Sequence, residues 1–139
     1  MLSASRSAKA TVLVVEDDQV SRELTTRLLQ MAGFDVIAAA TGERALLTLC
    51  QHGDQIDWLV SRLDLPGLIC GWILTDEYHE HHPNRPALLV SDTIGTAKAS
   101  SAFAVFIPSP FPMKVLEVLQ ALRSPEPGQA LPFRSSQAA

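Results

Sequence analysis

Three consecutive acidic residues, Glu16, Asp17 and Asp18, are the clearest candidates for chemistry in this sequence. They follow directly on an apolar, β-branched run at residues 11–15. Carboxylates grouped at the end of a buried strand need a compensating cation, and their oxygens suit a hard metal such as Mg²⁺. The alternative is helix capping, because acidic side chains stabilise a helix N-terminus.

Other side chains that bind metals or react are placed less favourably. The segment His79-Glu80-His81-His82 contains imidazoles, which bind Zn²⁺ and Ni²⁺, but only His79 and His82 would share a helix face. A solvated helix end before Pro83 is therefore expected there. Cys50 is expected in the core, whereas Cys70 lies in a loop without a neighbouring histidine to activate it.

Composition excludes several classes of protein. The chain has 139 residues and a formal net charge of −4, which argues against binding driven by nucleic-acid phosphates. No apolar run is long enough to span a membrane, and the first ten residues lack the apolar core of a secretory signal. Two cysteines are too few for a disulfide scaffold, so a cytoplasmic protein is expected. No nucleotide-binding glycine motif occurs.

Short apolar runs alternate with helical patterns along the chain. Strands are predicted at residues 11–15, 34–39, 58–61, 87–91 and 104–107. Helices are predicted at 20–31, 43–50, 71–81 and 112–122, with a weakly patterned segment at 93–102. Trp58 and Trp72 are both expected in the core. Residues 1–10 and 124–139 are expected to be disordered tails around one domain at 11–123, with no separate output domain.

This alternation predicts an α/β fold with a doubly wound parallel sheet between two layers of helices. Sites in such folds lie beyond the carboxyl ends of the strands. The residues that follow strands one, three, four and five are therefore the candidates for function.

At these positions the sequence resembles the receiver domain of bacterial two-component response regulators, which are CheY-like proteins. The resemblance covers about residues 11–123. The segments that carry it are residues 12–18 with the acidic pair Glu16 and Asp17, residues 33–36 and 40–46, Leu65-Pro66-Gly67 followed by Gly71, and Pro110-Phe111.

The resemblance implies a flavodoxin-like (βα)₅ fold with strand order 2-1-3-4-5. It also implies a switch in which an Asp at the end of strand three accepts a phosphoryl group from a histidine kinase. Glu16 and Asp17 would hold Mg²⁺, Ser91 would bind the phosphoryl oxygens, and Phe106 would be the aromatic that moves on activation. The family's cis bond predicts a cis peptide between Ser109 and Pro110.

The central residues depart from the family pattern. The acceptor Asp lies four positions before the loop proline, and that position is Arg62. The family's Lys before Pro-Phe is Ser109 here, and Asp92 replaces the small residue that usually follows Ser91. The loop after Pro66 is also one residue longer than the family norm. Arginine has no lone pair to form an acyl phosphate.

We therefore expect the Arg62 guanidinium to replace the metal ion by bridging Glu16 and Asp17 with charge-assisted hydrogen bonds. The chain would then be a stand-alone pseudo-receiver without enzymatic activity or a required cofactor. It would bind a protein partner, either a histidine kinase or another regulator, without being phosphorylated, and surplus apolar side chains on the last helix could support a homodimer. Two alternatives stay open: a phosphorylatable receiver that uses another acid such as Asp64, and a small-ligand-binding domain of the same fold.

Overall fold

Five parallel strands form one sheet in the computed structural model, which describes residues 9–92, 104–108 and 112–123. The strands are β1 (Thr11–Val15), β2 (Asp35–Ala39), β3 (Trp58–Arg62), β4 (Ala87–Ser91) and β5 (Ala104–Pro108). Four helices are described: α1 (Gln19–Met31), α2 (Gly42–His52), α3 (Gly71–His81) and α4 (Pro112–Arg123), with a 3₁₀ turn at Gly53–Gln55.

The order of the strands is β2-β1-β3-β4-β5, which confirms the predicted doubly wound topology. In the registers of neighbouring strands, Val15 pairs with Ser61, and Arg62 pairs with Val90. The carboxyl ends of β1, β3 and β4 therefore meet at one edge of the sheet, where the acidic run begins.

Two hydrophobic cores cover the two faces of the sheet. Alternate side chains of β1 point to opposite faces, so Leu13 packs with α2 and α3 while Val14 packs with α1 and α4. Each core is built mainly from fully buried aliphatic side chains, such as Leu49 on one face and Leu119 on the other. The fold is thus a three-layer α/β/α sandwich.

Two residues expected in the core are exposed. Cys50 lies at the surface of α2, because the neighbouring Leu49 takes the buried position. Trp72 at the start of α3 is 48% exposed, whereas Trp58 is buried as predicted.

The apolar residues at helical spacing in α1, which predict this helix from the sequence, also lie largely outside the core. Val20, Leu24 and Met31 are exposed, and Leu29 is the buried residue of this helix. The spacing predicted the helix correctly but not the face that it turns to the sheet.

Several predictions concern residues outside the described ranges. These are most of the N-terminal segment 1–10, the weakly patterned segment at 93–102, the bond between Ser109 and Pro110, and the C-terminal segment 124–139. Within the parts of the chain that are described, no helix is long and apolar enough to cross a membrane.

Candidate functional site

Charged side chains from three neighbouring strands meet at the carboxyl edge of the sheet. Glu16 and Asp17 follow β1, Arg62 ends β3, and Asp92 follows β4. Because β3 lies between β1 and β4, its last side chain reaches the acids on both sides. Arg62 is therefore the centre of a cluster that contains three carboxylates.

The contacts of Arg62 are not equal. Its Nε lies 3.8 Å from Glu16 Oε2 and 3.7 Å from Asp17 Oδ1, and its terminal nitrogen donates a 2.9 Å hydrogen bond to Asp92 Oδ2. The two longer distances lie beyond hydrogen-bond range, so these contacts are ion pairs rather than the hydrogen bonds expected from the sequence. The short, charge-assisted contact is made across the sheet with Asp92.

The side chains in these three contacts differ in solvent exposure. The side chains of Arg62 and Glu16 are 19% and 11% exposed, whereas those of Asp17 and Asp92 are 42% and 66% exposed. Charges that are withdrawn from water interact more strongly than exposed ones, because solvent screening falls with burial. The pair of Arg62 with Glu16 is therefore the electrostatic core of the cluster.

Glu16 is held in place from several sides. Its Oε2 accepts a 3.0 Å hydrogen bond from the backbone N–H of Asp18, and its carbonyl oxygen accepts a 2.8 Å bond from the Arg22 guanidinium. Burial raises the pKa of the Glu16 carboxyl, while the Asp18 N–H and the charge of Arg62 oppose that rise.

Burial also acts on Arg62, where it lowers the pKa of the guanidinium. The hydrogen bond to Asp92 and the charges of Glu16, Asp92 and Asp17 more than offset this effect, so the pKa of Arg62 is raised. The guanidinium is therefore positively charged at neutral pH.

The third acid of the run has a different role. Asp18 is the N-cap of α1, and its Oδ2 accepts a 2.8 Å hydrogen bond from the Ser21 backbone N–H. This hydrogen bond lowers the pKa of Asp18. Helix capping is thus correct for Asp18, whereas Glu16 and Asp17 face the arginine.

The family resemblance implies a magnesium ion at this edge, but these side chains do not fit one. A guanidinium about 5 Å from Mg²⁺ would oppose binding by several kcal/mol at an effective dielectric constant near 20. Arg62 already supplies positive charge within 4 Å of both carboxylates. Among the described residues, no group of three or more His, Cys, Asp or Glu side chains is arranged to hold a metal.

Other predicted site residues lie around this cluster. Ser91 is buried at the end of β4. Phe106 of β5 is half-buried and meets Trp72 edge to face, with 5.7 Å between the ring centroids. Asp64 is exposed in the loop after β3, and Ser109 lies outside the described residues.

The histidines at the end of α3 are not a solvated helix end. His82 Nε2 lies 2.7 Å from the carbonyl oxygen of Ile56, and His79 Nε2 lies 2.9 Å from that of Arg85. His81 lies 3.1 Å from the Asp54 carboxylate. Their rings therefore tie the end of α3 to the segments that enter β3 and β4.

The contacts of two arginines were not predicted from the sequence. Arg22 donates to the backbone of the acidic run, and Arg85 bonds the carbonyl oxygen of Asp57 and lies over the Trp58 ring at 5.0 Å. A basic residue one turn into α1, close after three acids, was the available signal for Arg22. No side-chain pattern marks a bond to a backbone carbonyl such as that of Asp57.

Comparisons with known proteins agree with this architecture. The response regulator receiver domain family matches residues 12–107. The chain is 34% identical over 114 residues to the sensor kinase CckA of Brucella abortus. The aligned region covers 79% of this chain and 12% of the kinase. The chain spans 12% to 17% of the length of the curated relatives that it matches.

Solved structures show the same fold. A response regulator receiver protein from Sinorhizobium medicae has a TM-score of 0.73 at 22% identity, covering 83% of this chain and 94% of that one. The chemotaxis protein CheY4 of Vibrio cholerae has a TM-score of 0.67 at 26% identity, covering 83% of this chain and 99% of that one.

Proposed function

This chain belongs to the response regulator receiver domain family, and from that premise we propose that it binds a protein partner in two-component signalling without being phosphorylated. The observation that carries the proposal is the position of Arg62. It ends β3, four residues before Pro66, and contacts three carboxylates at the edge where receiver domains carry out phosphoryl transfer.

Chemistry at this edge supports the proposal in two ways. A guanidinium has no lone pair with which to attack phosphorus, so Arg62 cannot replace an acceptor carboxylate. It also opposes the divalent cation that phosphoryl transfer needs to neutralise developing charge. The acids instead bind the arginine, and the cluster fixes the ends of β1, β3 and β4 relative to each other.

A fixed edge favours a constant binding surface over a switch. Phosphorylation changes a protein by adding charge that new contacts must satisfy. Here the negative charge of the carboxylates is already paired with Arg62, a side chain of the protein itself. We propose a histidine kinase or another regulator as the partner, because the family acts with such proteins.

The experiment is an amide NMR titration of the full chain with Mg²⁺ and then with beryllofluoride, which mimics a phosphoryl group. The parent protein should show no saturable shifts at Glu16, Asp17 or Ser91. The double variant Arg62→Asp, Ser109→Lys restores the acceptor and the lysine, and should gain saturable shifts at these residues. Arg44→Asp, which makes the same change on the exposed surface of α2, is the matched control.

Saturable shifts in the parent that spread to Phe106 and α4 would overturn the proposal. The variant Asp64→Asn would then show whether this exposed loop carboxylate is the acceptor. Loss of phosphoryl uptake from acetyl phosphate in that variant would establish a phosphorylatable receiver with a displaced acceptor.

A further inference from the structure

An apolar groove runs between α1 and α4, directly beside the charged edge. It encloses a cavity of about 100 Å³. Its walls are aliphatic side chains from the sheet and both helices, namely Val14, Val60, Val90, Val115 and Leu24, and the polar end is formed by Glu16 and Arg62. An apolar space of this kind is filled by hydrocarbon groups in preference to water.

Two side chains at this groove are unusually exposed for their type. Val20 is 72% exposed and Leu24 is 47% exposed, although both line the groove on the α1 side. Exposed aliphatic side chains that adjoin an apolar cavity are typical of a binding surface. The groove therefore suits an apolar segment that covers α1 and enters the cavity.

The charge at the polar end of the groove indicates which kind of side chain should follow that apolar segment. Three carboxylates, those of Glu16, Asp17 and Asp92, contact the Arg62 guanidinium, and Arg22 donates to the backbone carbonyl of Glu16. The excess of negative charge favours a ligand with a cationic group next to its apolar residues.

We propose that the occupant is the chain's own segment Leu131-Pro132-Phe133-Arg134, which lies outside the described residues. It offers two large apolar side chains followed directly by a guanidinium, in the order that the groove requires. Leu131 and Phe133 fill the apolar part, and Arg134 approaches the carboxylates of the edge.

The length of the chain permits this contact. Helix α4 ends at Arg123, and the groove lies beside its first turn at Pro112 and Val115, about 16 Å back along the helix axis. The eight residues from Arg123 to Leu131 span up to about 26 Å when extended. Two prolines in this stretch, Pro125 and Pro127, disfavour helix and favour such an extended path.

The docked segment covers α1 and the start of α4, so it competes with any other protein that uses this surface. The contact does not depend on phosphorylation, and its failure would leave the proposed role of Arg62 untouched. It adds an intramolecular ligand that a partner must displace before it binds there.

The test is methyl NMR on the full-length chain. In the parent protein, nuclear Overhauser effects should connect the Phe133 ring to methyl groups of Val20 and Val115. The variant Leu131→Ser, Phe133→Ser should lose these effects and shift the groove methyl signals. A control outside this segment, Ala138→Ser with Ala139→Ser, should leave them unchanged.

Two further measurements separate the remaining outcomes. Arg134→Glu should weaken the effects, and added salt should weaken them in the parent, because the charges act through screened attraction. Absence of the effects in the parent would overturn the proposal. Effects that vanish on dilution would also overturn it, since the segment would then come from a second copy of the chain.

Discussion

Replacing Arg62 with methionine removes the positive charge at the edge of the sheet and keeps an unbranched side chain of similar length. Glu16, whose side chain is 11% exposed, then stays withdrawn from water beside Asp17 without the nearby guanidinium. We expect Arg62→Met to fold but to be clearly less stable than the parent at neutral pH.

The magnitude of the loss follows from distance and exposure. At 3.8 Å and an effective dielectric constant near 20, the attraction between Arg62 and Glu16 is about 4 kcal/mol. The exposed partners Asp17 and Asp92 add at most about 1 kcal/mol each after screening. Relief of the desolvation of the arginine offsets part of this sum. The free energy of unfolding should therefore fall by about 2–3 kcal/mol.

The loss should depend on pH with a definite sign. Burial already raises the pKa of Glu16, and removal of Arg62 raises it further. Between the ordinary carboxyl pKa and the raised one, the folded state binds more protons than the unfolded state, so stability falls as pH rises. That window extends to higher pH in the variant. Its deficit should therefore be full above the window and shrink as pH is lowered through it.

Urea unfolding of both proteins at neutral and at mildly acidic pH measures this deficit. The variant Arg44→Met makes the same change at an exposed position of α2 and should change stability by less than about 0.5 kcal/mol. The reasoning is refuted if Arg62→Met is as stable as the parent at neutral pH, or if its deficit does not shrink on acidification.

Three other substitutions test the packing around the site by the same unfolding assay. Thr26 Oγ1 is buried without a hydrogen-bond partner among the described residues, so Thr26→Val should stabilise the protein by about 1 kcal/mol, and a loss would contradict this. The buried Tyr78 hydroxyl donates a 2.9 Å bond to the Asp57 carbonyl, so Tyr78→Phe should cost about 1 kcal/mol; an unchanged midpoint would show that the bond is not stabilising. A methyl group at Gly71 would lie 2.6 Å from the Arg62 carbonyl oxygen, so Gly71→Ala should cost about 1–3 kcal/mol, and a neutral result would mean that the start of α3 shifts freely.

The charged edge could be foreseen because topology places it. Alternating strands and helices predict a parallel sheet, and the strand order implied by the family resemblance makes β1 and β3 neighbours, so the residues that follow them must meet. Arg62 therefore falls beside Glu16 by the fold alone. The uneven strength of its contacts could not be foreseen, because hydrogen bonding to Asp92 depends on side-chain conformations and not on sequence spacing.

The predictions that were wrong depend on tertiary packing, which patterns in the sequence do not describe. Leu49 and Cys50 are both apolar and adjacent, and a helical period does not decide which of them turns inward. The bonds of His82 and His79 to backbone carbonyls are invisible to patterns of side chains, since every residue has a carbonyl. Tertiary packing decides both questions.

A cation that is part of the polypeptide differs from a bound metal in its kinetics. Arg62 is present once in every copy of the protein, and it has no dissociation rate. A chelator such as EDTA cannot remove it, and changes in free magnesium cannot titrate it. The charge at this edge is therefore set at translation.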